Sequence, residues 1–246
     1  MSLALSATAT LALAALLGVA AGTLTTVSGF GGGMLLAVAL APVLGPAGAL
    51  VVVSPALALG HVHRAYLYRD QIDRRIAGRF SIGAVPGTIL GGLLAASVPE
   101  QVLAVALLFG LTLAVAQALG KIPAQLGRRA LIPGGASVGF LAASCGGGGV
   151  MLPPTLMSAG LSGRSFVATA ATGAAVVQVV RLSTYAAAGM VGSGQLPVMA
   201  VVAVGLIGGN ILGRRLALRV DDRHTAWLTR STLGVAVALG LFNLVI

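Results

Sequence analysis

Ser144-Cys145-Gly146-Gly147-Gly148-Gly149-Val150-Met151-Leu152-Pro153-Pro154-Thr155-Leu156 sets four consecutive glycines inside an apolar segment. Each glycine in a helix interior costs about 1 kcal/mol relative to alanine, so a run of them disfavours a continuous helix. A short apolar helix is predicted to restart at about Val150. A similar run stands earlier, Ser28-Gly29-Phe30-Gly31-Gly32-Gly33, with a restart predicted at about Met34. The first amides of such a helix have no internal partner and lie at the positive end of its dipole. Glycine lets a ligand approach that backbone closely. Gly31, Gly32 and Gly33, with Gly147, Gly148 and Gly149, are therefore candidate anion-binding positions. Contiguous glycines serve helix packing poorly, because they fall on all faces.

The segments around these runs decide the solvent. Of 246 residues, 57% are hydrophobic and 8% charged, and the mean hydropathy is +1.02. Soluble domains carry about 25% charged residues, so this chain could not cover a water-facing surface. Apolar stretches run at about 8–27, 34–60, 76–98, 101–119, 130–144, 149–160, 165–190, 195–213 and 224–245. A bilayer crossing takes about 20 such residues. The expectation is an all-α integral membrane protein of roughly eight transmembrane segments, since no stretch alternates like a strand and lipid leaves no partner for unpaired amides. No Lys or Arg precedes Arg64, so residues 8–27 lack the positive region of a cleaved signal peptide and read as a retained first span. One cysteine, Cys145, excludes an internal disulfide.

The net charge of +10 points away from nucleic acid, because the basic residues lie between apolar stretches. One seam holds Arg64, Arg69, Arg74, Arg75 and Arg79, a second runs from Lys121 to Arg129, and a third holds Arg214, Arg215, Arg219 and Arg223. These three are expected to face the cytoplasm. The seams at 98–101 and 189–195 carry no basic residue and are expected on the other side.

The order of landmarks repeats. After each glycine run come Arg64 and Tyr68 in one half, Arg181 and Tyr185 in the other. Then come the ladders Gly83-Gly87-Gly91 and Gly205-Gly209-Gly213, each ending in Ile-Leu-Gly. The ladders read as helix-packing seams, where small residues let backbones approach. The halves divide at 1–120 and 121–246. In the first half the basic seam precedes the ladder, and in the second it follows. The two repeats are thus expected to be inverted, each with a re-entrant or discontinuous helix at its glycines and with sites near the midplane between them. Both termini then fall on the non-cytoplasmic side.

All five acids (Asp70, Asp73, Glu100, Asp221 and Asp222) lie in seams, which argues against a proton relay or cation site built on buried carboxylates. Arg181 stands in an apolar stretch without an acid nearby. It would line a cavity with an anionic partner, or snorkel. Gln178 lies one turn before it on the same face. His61 and Arg64 end the second stretch, and His61 and His63 are either interfacial or part of an anion site. Ser28 and Ser144 border the glycine runs, and Thr172 lies within 165–190. The candidate substrate-binding set is therefore Ser28, Gly31, Gly32, Gly33, His61, Arg64, Ser144, Gly147, Gly148, Gly149, Thr172, Gln178 and Arg181. No metal spacing, nucleophile elbow or cofactor motif occurs, and His224 and Trp227 read as interfacial anchors.

These residues resemble the TauE/SafE family of membrane permeases, which includes sulfite exporters. The second half carries the likeness: Gly147-Gly148-Gly149, then Pro154-Thr155-Leu156, Gly160, Ala168 and Thr172. The first half departs at Val38, which stands where Pro154 does, and Gly173 replaces the usual serine after Thr172. The resemblance implies no enzyme activity. It implies export of sulfite, sulfoacetate or related organosulfonates across a bacterial inner (plasma) membrane, with a small-anion channel or a proton-coupled importer as alternatives. The partners implied are a small anion and the lipid bilayer, with a homodimer as one admissible assembly.

Overall fold

The computed structural model describes residues 6–28, 32–119, 121 and 128–217. Gly31, most of the Lys121–Arg129 seam, Arg219 and Arg223, the 224–245 stretch and Asp221, Asp222, His224 and Trp227 lie outside the described residues. The helices are α1 (Ala7–Ser28), α2 (Gly32–Leu67), α3 (Arg74–Ser97), α4 (Glu100–Ala118), α5 (Leu131–Cys145), α6 (Gly148–Met157), α7 (Gly163–Ala187) and α8 (Leu196–Ala217). Six described helices are long and apolar enough to cross a membrane. Their outer faces carry exposed Leu90, Val105, Phe109, Val204 and Ile211, which water would not tolerate and lipid covers. The protein is an all-α, multi-pass membrane protein.

At two places in the set the chain does not cross as a single rod. Residue Gly45 in α2 has φ 74 and ψ 160, outside the helical region and in the range glycine alone enters freely. Pro46 follows and cannot continue the ladder of hydrogen bonds. A straight helix would hold Gly33 and Leu57 roughly 36 Å apart. Instead the Leu57 side chain lies against Gly33, so residues 32–44 fold back on residues 46–67. The stretch read from sequence as one span at 34–60 is thus a short returning helix followed by a long one, because one turn residue hardly changes local hydropathy.

The second case is the α5–α6 pair. Gly146 ends α5 in the left-handed region, φ 70, with its amide donating to Leu141 O. Then α6 runs back along α5: Gly148 lies against Ala142 and the Val138 carbonyl, and Gly134 against Thr155. With 10 residues, α6 rises about 15 Å, half a hydrocarbon core. It starts at Gly148 and α2 at Gly32, each two residues before the predicted restart, because the glycines themselves form the first turn.

Both glycine ladders are contact surfaces. A Cβ at Gly83, Gly87 or Gly91 of α3 would run into the carbonyl oxygens of Ile132, Ala136 or Phe140 of α5. At Gly205, Gly209 or Gly213 of α8 it would meet those of Ala15, Val19 or Thr23 of α1. In each pair residue numbers rise together, so the partners run parallel. Both pairings join a helix before residue 120 to one after it.

The bundle has two distinguishable ends. At the end bearing Arg64–Arg79, Asp73 caps α3 by accepting from the Ile76 amide at 2.9 Å, and its own amide donates to Thr169 Oγ1 of α7 at 3.0 Å. At the opposite end, Gly45 lies beside the Glu100 carboxylate and Gly48 beside Gln195. A packed apolar cluster of Leu36, Leu40, Leu50, Val53, Leu103 and Val202 fills the core toward that opposite end.

Candidate functional site

Between the two glycine runs lies a cavity of about 570 Å³. Its inner end is backbone: Gly32 and Gly33 at the start of α2, and Gly146–Gly149 at the α5–α6 turn. The Gly147 amide donates to the Leu141 carbonyl of α5 at 3.0 Å and the Val150 amide to the Gly147 carbonyl at 3.1 Å, so the Gly148 and Gly149 amides are the donors of this turn that a ligand could use. One wall is a stripe on α2, His61, Arg64 and Tyr68, spaced at three and four residues so that they share a face. Gln178 of α7 completes the polar lining with Thr25 and Thr26 of α1. The rest is apolar, including Leu57, Val138, Val150, Met157, Phe166 and Val177. Among the described residues, no carboxylate lines the cavity.

Depth follows from the helix positions. Gly147 packs against Gly110, midway along α4, whereas Tyr68, Met157 and Phe166 sit at helix ends beside the Arg64–Arg79 seam. The cavity therefore runs from the middle of the bundle to that basic end. The apolar cluster around Leu40 and Leu50 closes the other direction.

Of the residues singled out in the sequence, the cavity brings together Gly32, Gly33, His61, Arg64, Gly147, Gly148, Gly149 and Gln178. Ser144 instead bonds the Phe140 carbonyl of its own helix at 2.7 Å, and Thr172 bonds the Ala168 carbonyl at 2.9 Å. Neither lines the cavity. Ser28 ends α1, and its side chain is outside the described set. Sequence reading passed over Thr25, Thr26, Tyr68, Met157 and Phe166. Only Tyr68 had a signal, its helical spacing from His61 and Arg64.

Arg181 does not reach the cavity either. It is 2% exposed and lies behind Gln178. Its Nη1 donates toward Gln178 Oε1 at 3.5 Å, its Nη2 to the Leu50 carbonyl of α2 at 3.1 Å, and its Nε to Tyr185 Oη at 3.0 Å. Tyr185 in turn donates to the Ala143 carbonyl of α5. The side chain neither snorkels nor faces a cavity; α2 and, through Tyr185, α5 supply carbonyl dipoles around it. Among the described residues no acid pairs with it.

A model of the family described as Sulfite exporter TauE/SafE matches residues 14–242. The chain belongs to the TauE/SafE family. No curated protein and no solved structure gives a significant match. As a TauE/SafE protein it is a membrane transporter of small anions, and not an enzyme. The lining suits that role chemically. Amide N–H groups and a guanidinium donate to an oxyanion and offer it no competing acceptor charge.

Proposed function

We propose that this TauE/SafE protein exports small sulfur-containing anions, such as sulfite, sulfoacetate or related organosulfonates, by alternating access. One observation carries the reading: a single cavity is lined by backbone from both glycine runs, by His61, Arg64 and Gln178, and by no carboxylate among the described residues. A sulfonate is a compact anion with acceptor oxygens only, so such a lining complements it. Most of the wall is apolar, and the volume of about 570 Å³ leaves room beyond a bare oxyanion. Organosulfonates, whose carbon body uses that wall, are the preferred cargo over sulfite.

The transport cycle rests on two inverted repeats, 1–120 and 121–246. Several features favour this reading. In each half a helix leads to a glycine run, a short returning helix and a long helix. The chain reversals after the short helices both hold a glycine at positive φ, Gly45 and Gly160. The pairing of α3 with α5 and of α1 with α8 is the exchange that a two-fold relation between halves would produce. The first returning helix ends beside Glu100 and Gln195, and the second ends near the basic seam, as opposed orientations require. By the positive-inside rule the basic end is cytoplasmic, so the cavity opens inward and both termini lie outside the cytoplasm. Export of each negative charge from an inside-negative cell gains about 2.3 kcal/mol per 100 mV, so no coupling ion is obligatory. The cavity is complete within one chain, and a homodimer would hold two independent cavities.

The test is counterflow in proteoliposomes with sulfoacetate and isethionate. A carrier speeds uptake of labelled substrate when the other side is loaded with unlabelled substrate. Conductance without such acceleration would replace the carrier with a channel, for which the apolar seal beyond Leu40 and Leu50 leaves no continuous path.

A further inference from the structure

Gln178 is 8% exposed and lines the cavity, and the one hydrogen bond to its amide among the described residues comes from Arg181 Nη1 to Oε1. A guanidinium has donors only, so it admits only the oxygen end of a neighbouring amide. That leaves the NH2 end of Gln178, two donors and no acceptor, for the cavity. An unconstrained glutamine could turn either end to a ligand and would not discriminate charge. Arg181 is itself held in place from two other helices, by the Leu50 carbonyl and by Tyr185 bridging to Ala143. Its charge has no carboxylate partner among the described residues, so its field reaches the cavity through the polarised amide rather than being cancelled.

We infer that Arg181 is a positioning residue that adds to the anion selectivity of this cavity without touching the anion, by orienting the Gln178 amide with its donors facing the cavity. The inference rests on the anion reading above and adds a group that sharpens the selectivity given by Arg64 and the backbone amides. It predicts that a carboxylate at 178 is tolerated by the fold and rejected by the ligand, because Glu would pair with Arg181 while presenting acceptor oxygens to the cavity.

The experiment titrates purified protein in detergent with methanesulfonate and with methanesulfonamide, an uncharged analogue of similar shape, by calorimetry and thermal denaturation. Wild type is expected to prefer methanesulfonate. Gln178→Glu is expected to raise Tm and to weaken methanesulfonate roughly tenfold or more, with methanesulfonamide weakened little or not at all. Arg181→Met is expected to lower Tm and to reduce the preference between the two ligands to what Arg64 and the backbone amides supply, whereas Arg181→Lys restores part of the loss. A purely structural Arg181 would lower Tm and weaken both ligands in proportion, which would overturn the proposal. If Arg181→Met fails to fold, Gln178→Glu decides alone: methanesulfonate binding equal to wild type would overturn it. Wild type that binds neither methanesulfonate nor sulfoacetate would bring down the anion reading and this inference together. Wild type that binds while Gln178→Glu binds equally would bring down the inference only.

Discussion

Two adjacent glycines, Gly148 and Gly149, separate packing from binding at the scale of one residue. A Cβ on Gly148 would lie 2.5 Å from Ala142 Cβ and 2.6 Å from the Val138 carbonyl, with backbone that cannot step aside. A Cβ on Gly149, which borders the cavity, meets nothing within 4 Å. Gly148→Ala is therefore expected to cost about 1–3 kcal/mol of stability. Gly149→Ala should leave the melting temperature in detergent unchanged or raised, since alanine is the better helix former, yet weaken sulfoacetate binding. Thermal denaturation with and without ligand separates the two outcomes. Equal behaviour of the pair would remove the α6 amides from the site. Tyr185→Phe is a second test at this scale. It removes the hydroxyl between Arg181 Nε and the Ala143 carbonyl, leaving two buried polar groups without it. A loss of about 1–3 kcal/mol is expected, read as a lowered Tm.

At the scale of helices, the ladders let backbones touch where ordinary side chains would hold helices 8–10 Å apart. In lipid, helix association draws on such close packing rather than on expulsion of water. Gly87→Val of α3 and Gly209→Val of α8 should both disrupt the bundle, because each new side chain would strike a carbonyl of the parallel partner. A Cβ at Gly78 of α3 or Gly208 of α8 would meet nothing within 4 Å, so Gly78→Ala and Gly208→Ala serve as matched controls. Size-exclusion profiles of the four variants check this. Monodisperse Gly87→Val or Gly209→Val at wild-type yield would show that the ladders do not hold the two pairs together.

For the whole molecule, one end is open and the other shut. Met157 borders the cavity near the basic end and is 53% exposed, whereas Leu40 in the apolar cluster is 1% exposed. In a Cys145→Ala background, Met157→Cys should react with a membrane-impermeant maleimide in inside-out vesicles and not in right-side-out ones. Leu40→Cys should react in neither. Labelling of Met157→Cys from the outer face alone would reverse the assigned orientation and, with it, the direction of the open cavity.

Composition and local chemistry determined the solvent, the all-α multi-span class and the family. A chain with 8% charged residues has no alternative to lipid, and every stretch carries that information by itself. The cost of consecutive glycines is equally local, so an interruption in this run could be expected without any neighbour, although only Gly146 and Gly147 are non-helical and Gly148 already opens α6. Other features were set only when helices met. The reversal at Gly45 is one backbone conformation inside an apolar run, invisible to hydropathy. Ser144 and Thr172 stand at the right places in the chain, but their hydroxyls bond their own helices, and helix rotation in the bundle turns them from the cavity. Arg181 read from sequence as either cavity-lining or snorkelling, because sequence records its charge but not the Leu50 carbonyl and Tyr185 hydroxyl that hold it one layer back. Tertiary contacts decide which of two neighbouring polar groups faces the cavity, because a side chain's direction depends on the helices packed around it and not on its position in the chain.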